Sequence, residues 1–149
     1  MSSRLALTFG AAAAAMLLTR PAAGGTLANY SQEGFSAAQE AGKPIVLAFT
    51  ALGCKVCEAQ TKALERLLAQ SPLDAITGFQ VDFDMAAELA RTLRASRSTL
   101  VVFQGKKELA REAGITTDGQ IRTLLLKAVP EKRRGKPGPR PSNRTGPRP

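Results

Sequence analysis

Residues 45–50, IVLAFT, constrain the 149-residue chain more than any other stretch. The run is almost wholly apolar, with no polar position alternating through it, so it reads as a strand covered on both faces rather than one with a wet side. Pro44 opens it, and the Gly42-Lys43-Pro44 segment closes a short helix spanning 31–41, because the residue before a proline disfavours helical torsions. A strand buried on two sides needs helices above and below it.

The flanking segments can supply that cover. After the break at Ala51-Leu52-Gly53, residues 54–70 favour helix, with Cys57, Thr61, Leu64 and Leu68 on one face at the three-or-four spacing of a buried stripe. Residues 78–83 alternate, Phe79, Val81 and Phe83 against Gln80 and Asp82, which is the pattern of a half-buried strand. Ala86, Leu89, Ala90 and Leu93 give a third helical stripe. Residues 99–103, TLVVF, form a second buried strand, and Gly105-Lys106-Lys107 turns it into an antiparallel partner over 108–112. Thr117 with Gln120 forms a capping box ahead of Ile121, Leu124, Leu125 and Ala128. The expected fold class is α/β: a central mixed sheet of about four strands with helices on both faces.

The formal charge of +9 is unevenly spread. Residues 29–129 carry twelve basic and eleven acidic side chains, whereas the tail from Pro130 carries seven basic residues against Glu131. The folded part is nearly neutral, and specific nucleic-acid binding is not expected of it. The tail, EKRRGKPGPRPSNRTGPRP from Glu131 on, lacks apolar anchors, so it cannot bury enough surface to offset chain entropy and is expected to be disordered. As a linker end it needs no partner; as a functional element it would contact anionic surfaces through screened electrostatics. At the other end, Arg4 precedes an apolar run from Leu5 to Leu18 and small residues around Ala22-Ala23-Gly24. This is the layout of a cleaved export signal, with cleavage after Gly24 or Ala28. The alternative is an uncleaved anchor, for which a run shorter than about 20 residues is a poor match. The expected division is a signal peptide over 1–28, one domain over 29–129 and a tail over 130–149, with a periplasmic or secreted destination where a disulfide persists.

The chain has two cysteines, Cys54 and Cys57, and no histidine. Residues three apart on a helix lie about 5–6 Å apart at Cβ, so a bridge can open and close there with little backbone movement. At a helix start, the unpaired N–H groups and the macrodipole favour an anion, which makes Cys54 the more acidic thiol and the nucleophile; Lys55 adds a nearby positive charge. Cys57 falls on the buried stripe and is the resolving thiol. A structural bridge is the competing explanation, but so short a loop restrains little of the unfolded chain. Without histidine, a Cys-His nucleophile and a mixed Cys/His zinc site are excluded, so no metal site is expected and the redox-active disulfide is the only cofactor. Two-coordinate Cu(I) on the two thiolates stays open as an alternative.

Over about residues 31–129 the chain resembles the thioredoxin superfamily. The resemblance is carried by KPIVLAFTALGCKVC (43–57), VDFD (81–84) and STLVVFQGKKELAREAG (98–114). It is most similar to small exported bacterial thioredoxin-like proteins and to the C-terminal domain of the thiol:disulfide interchange protein. The resemblance implies a thioredoxin fold and a thiol-disulfide oxidoreductase with Cys54 exposed and Cys57 resolving. It also implies a substrate-contacting rim at Gly53, Lys55, Val56, Ser98 and Thr99, protein thiols and disulfides as substrates, and an electron donor or acceptor protein as partner. Three positions depart from the family pattern: Ser98 stands where a cis-proline is usual, Ala48 where a buried acid is usual, and Gly53 where an aromatic residue often precedes the first cysteine. Strong oxidants of the family carry a histidine between the cysteines; Lys55 and Val56 there imply a reductant or electron carrier. A binding or chaperone module of the same fold, with an incidental dithiol, is the other alternative.

Overall fold

A computed structural model describes residues 25–131. The apolar run of the expected signal and the tail beyond Glu131 lie outside the described residues. The described chain forms β1 (Leu27–Asn29), α1 (Gln32–Glu40), β2 (Pro44–Thr50), α2 (Lys55–Leu68), β3 (Thr77–Asp82), α3 (Ala87–Thr92), β4 (Thr99–Gln104), β5 (Lys107–Ala113) and α4 (Asp118–Leu125), with short 3₁₀ turns at Leu73–Ala75 and Leu126–Ala128. One sheet of five strands runs in the order β1-β3-β2-β4-β5. β1, β3 and β2 are parallel, whereas β4 pairs antiparallel with both β2 and β5.

The apolar run 45–50 is the central strand, with Ile45 to Phe49 all buried. Its alternate side chains feed two cores. Val46 and Ala48 join Leu100 and Val102 against α2 and α4, where Leu64, Leu67, Leu68, Ile121 and Leu125 pack. Ile45, Leu47 and Phe49 join Val101 and Phe103 against α1 and α3, through Phe35, Ala38 and Ala90. Helices therefore cover both faces, as a two-sided apolar strand requires.

The sheet has a fifth strand that the sequence did not announce. β1 is three residues, LAN, with no periodicity to read, and it holds by pairing Leu27, Ala28 and Asn29 with Gly78, Phe79 and Gln80. It begins two residues ahead of position 29, inside the span read as signal. The helix expected over 54–70 is α2 at Lys55–Leu68, with Cys54 outside it as its cap. The Gly105 turn between β4 and β5 needs glycine, since at φ +56° a Cβ would sit 3.1 Å from the Gln39 carbonyl oxygen. Among the described residues no helix is long and apolar enough to cross a membrane.

Candidate functional site

The site lies at the carboxyl end of β2, where the chain leaves the sheet and enters α2. Gly53 makes that corner at φ +71°, a left-handed conformation that glycine adopts without strain. Cys54 follows as the cap of α2. Its Sγ accepts the Cys57 backbone N–H at 3.1 Å, and its carbonyl accepts from the Glu58 N–H. Such a cap satisfies one of the N–H groups that a helix start leaves unpaired. Cys54 and Cys57 are joined as a disulfide. Cys54 is half-buried at the rim, while Cys57 is 2% exposed. Cys54 therefore meets solvent and Cys57 does not.

Lys55 acts less directly than its sequence position suggests. Its ammonium pairs with the Glu58 carboxylate at 3.2 Å, both side chains being exposed. Glu58 offsets the positive charge beside Cys54, which leaves the N–H of Cys57 and the helix start as the groups favouring a thiolate there.

The other expected rim positions are spread in depth. Gly53, Lys55 and Val56 are exposed, Ser98 is half-buried and Thr99 is buried. Thr99 turns its Oγ1 inward, where it accepts the Ser96 N–H and meets the Ser96 hydroxyl, both at 3.0 Å. Ser98 stands at φ +60°, unusual for a residue with a Cβ. Its backbone is held on both sides: its N–H donates to the Phe49 carbonyl at 3.0 Å, and its carbonyl accepts from the Gly114 N–H at 3.1 Å and from Gln60 Nε2 at 2.9 Å. Ala48 is buried on the α2 side of β2, so the usual place of an acid carries a methyl group.

Two open crevices meet at the site. One, of 460 Å³, is lined by Thr50, Leu52, Cys54, Cys57, Glu58 and Thr61. The other, of 760 Å³, shares Thr50, Gln80 and Asp82 with it and runs on past Tyr30 to Met85. Both open at the carboxyl ends of the parallel strands, where α/β folds gather their ligands. Among the described residues, the exposed large apolar side chains are Leu52, Val56 and Met85; Leu52 lines the first crevice and Met85 the second.

The sequence reading missed Gln60, which is 1% exposed, and the brace formed by Asp84 and Arg97. Arg97 pairs with Asp84 at 3.1 Å and lies over the Phe83 ring, joining the loop before β4 to the loop after β3. Gln60 had a signal: with Ala63, Leu64 and Leu67 it keeps helical spacing, which places it in the buried sector beside Cys57.

No family model matches the chain, and no curated protein matches it. Solved structures do. The chain is 30% identical to Trxlp from Edwardsiella tarda EIB202, at a TM-score of 0.64 over 67% of this chain and 98% of that one. It also superposes on a mutant thioredoxin from Halobacterium salinarum NRC-1, at 18% identity and a TM-score of 0.63 over 73% and 95% of the two chains. Thioredoxin from Trypanosoma brucei brucei follows at 23% identity and 0.59, over 71% and 92%. The last two likenesses are of fold, whereas the first spans nearly a whole relative at higher identity. With its mixed sheet, its helix-capping cysteine and its C-x-x-C disulfide, the chain belongs to the thioredoxin superfamily, whose general chemistry is thiol-disulfide exchange.

Proposed function

We propose that this protein is a periplasmic reductant or electron carrier that exchanges disulfides with protein substrates through Cys54 and Cys57. The observation that carries the reading is the asymmetry of the pair: a half-buried cysteine at a helix start, lining an open crevice, and a partner cysteine that is 2% exposed. The reduced Cys54 thiolate attacks a substrate disulfide, one substrate sulfur leaves as thiolate, and a mixed disulfide forms. Cys57 then attacks Cys54 Sγ, the Cys54–Cys57 bond closes and the second substrate sulfur leaves. An electron donor protein returns the pair to the dithiol.

A protein substrate is favoured by the exposed Leu52, Val56 and Met85 around the crevices, since apolar side chains grouped at a site mark a surface that another chain covers. The reductant direction is supported by the absence of histidine between the cysteines and by the neutralised Lys55, because less thiolate stabilisation makes the dithiol a stronger reductant. Export is supported by the 1–28 segment, and cleavage after Gly24 leaves β1 whole, whereas cleavage after Ala28 would remove Leu27 and Ala28 from their pairing with β3.

The test is the reduction potential of the pair, set by equilibration with dithiothreitol and read by thiol trapping and mass. A value near or below about −270 mV is expected, and one near about −120 mV would make the protein a disulfide donor. Cys54→Ser should abolish exchange with a protein disulfide. A pair that does not cycle would leave a binding module of the same fold.

A further inference from the structure

Gln60 lies on α2 one turn beyond Cys57 and is as deeply buried, 1% against 2% exposed. Its Nε2 donates to two carbonyls at 2.9 Å, Ser98 on the loop before β4 and Ile115 on the segment after β5. Two carbonyl acceptors fix which end of the amide is nitrogen, because an oxygen there could bond neither. The other end, Oε1, is the buried side-chain oxygen or nitrogen without a hydrogen-bond partner among the described residues. Such an atom loses the hydrogen bonds it would make in water.

The direction of the side chain gives Oε1 a use. Helical side chains tilt toward the amino end, so a residue lies over the turn before it and meets its neighbours three and four positions back. For Gln60 that turn holds Val56, four positions back and exposed, and Cys57, three back and buried like Gln60 itself. While the disulfide is closed, Cys57 has no hydrogen to give. When two electrons and two protons from a donor dithiol open the bond, Cys57 becomes a buried S–H group in need of an acceptor. Ala48 supplies none, being a methyl group on the same face.

We propose that Gln60 is a positioning residue for the exchange reaction: its Nε2 locks the Ser98 loop to the dithiol helix, and its Oε1 receives the Cys57 S–H of the reduced protein. The inference rests on the oxidoreductase reading and extends it. The amide orients the thiol but takes no proton. When Cys57 attacks the mixed disulfide, the Cys54–substrate bond breaks, the Cys54–Cys57 bond forms, and the departing substrate thiolate picks up the proton that Cys57 loses.

Nε2 bonds to backbone carbonyls that the redox step leaves chemically unchanged, so on this proposal it is the Oε1 contact that shifts the balance between the two states. Gln60→Met, of similar size with neither donor nor acceptor, should make the full-length protein harder to reduce by about fivefold in the equilibrium constant, a potential more negative by about 20 mV. Gln60→Glu keeps an acceptor but can ionise, and should put a pH break into the potential that the wild type lacks. A purely structural residue would lower melting temperature in both variants and leave the potential and its pH profile unmoved, and that result would overturn the proposal. An independent measurement needs no Gln60 variant to fold. Cys54→Ala leaves Cys57 as the sole thiol of the chain with no new acceptor beside it, and its infrared S–H stretch should be lowered by hydrogen bonding; a free-thiol frequency would overturn the proposal. If the wild-type pair itself fails to cycle, the oxidoreductase reading falls, and the infrared band still decides whether Gln60 Oε1 faces the thiol.

Discussion

The two faces of the sheet are built differently. The face under α1 and α3 is aromatic: Phe35 meets Phe79 and Phe103 edge-on, with ring centroids 6.2 and 5.7 Å apart, and Tyr30 leans on the same cluster. The face under α2 and α4 is aliphatic, built of Leu, Ile, Val and Ala, yet it also holds Cys57 and Gln60 on α2. Aromatic edges pack through fixed ring geometry and bring large apolar area, so the first face is suited to holding the sheet together. Small aliphatic side chains leave room for polar atoms beside the helix that carries the chemistry. The contrast assigns stability to one face, and stability together with redox chemistry to the other.

The sharpest way to break that division is to cut a hole in each face. Phe103→Ala should cost about 4 kcal/mol and Leu64→Ala about 3 kcal/mol in urea unfolding. At a temperature where both remain folded, only Leu64→Ala should slow disulfide exchange, because Leu64 seats α2 on the sheet. Equal slowing by Phe103→Ala would remove the distinction.

A smaller effect is expected when the family's acid is put back. Ala48→Asp buries a carboxyl on the aliphatic face, and burial raises its folded pKa above the ordinary carboxylate value. A group raised on folding is tolerated in its protonated form below the unfolded pKa, and that stability is lost as pH rises through the folded pKa. The variant should therefore lose about 2 kcal/mol more at about pH 8 than at about pH 4, by paired denaturant melts. A loss independent of pH would mean that water reaches the site.

The smallest effect belongs to the rim of the aromatic face. Arg111 on β5 pairs with Glu108 at 2.6 Å and donates to the carbonyls of Leu93 and Arg94 at the end of α3. The hydrogen bond from Arg111 holds the Glu108 carboxyl below the usual carboxylate range. A lowered folded pKa means stability present above the unfolded value and lost as pH falls through the folded one. Because the pair is about one-third exposed, Glu108→Gln should cost no more than about 0.5 kcal/mol at about pH 7, with the difference vanishing in strong acid.

Much of the fold was legible because local chemistry agreed with it. Thr117 caps α4 through its hydroxyl, as its spacing from Gln120 suggests, the helix expected over 31–41 is α1 with Ser31 as its cap, and the run 45–50 is the central strand. The dithiol was legible for the same reason, since spacing and a helix start are local facts. β1 was not, because LAN has no pattern of its own and is a strand only by pairing with β3. Nor was the neutralised Lys55 legible as such, since Glu58 could have turned elsewhere on the exposed helix surface.

The sequence by itself determined the class of fold, the two-sided central strand and the pairing of an accessible cysteine with a buried one, because periodicity and helix termini are properties of neighbouring residues. Only the tertiary structure decided how Ser98 is held in a left-handed conformation, and that Gln60 spans from α2 to two loops, at residues 98 and 115. These depend on contacts between residues 38 and 55 positions apart, and contacts at that separation leave no periodicity to read until the sheet has brought its strands together.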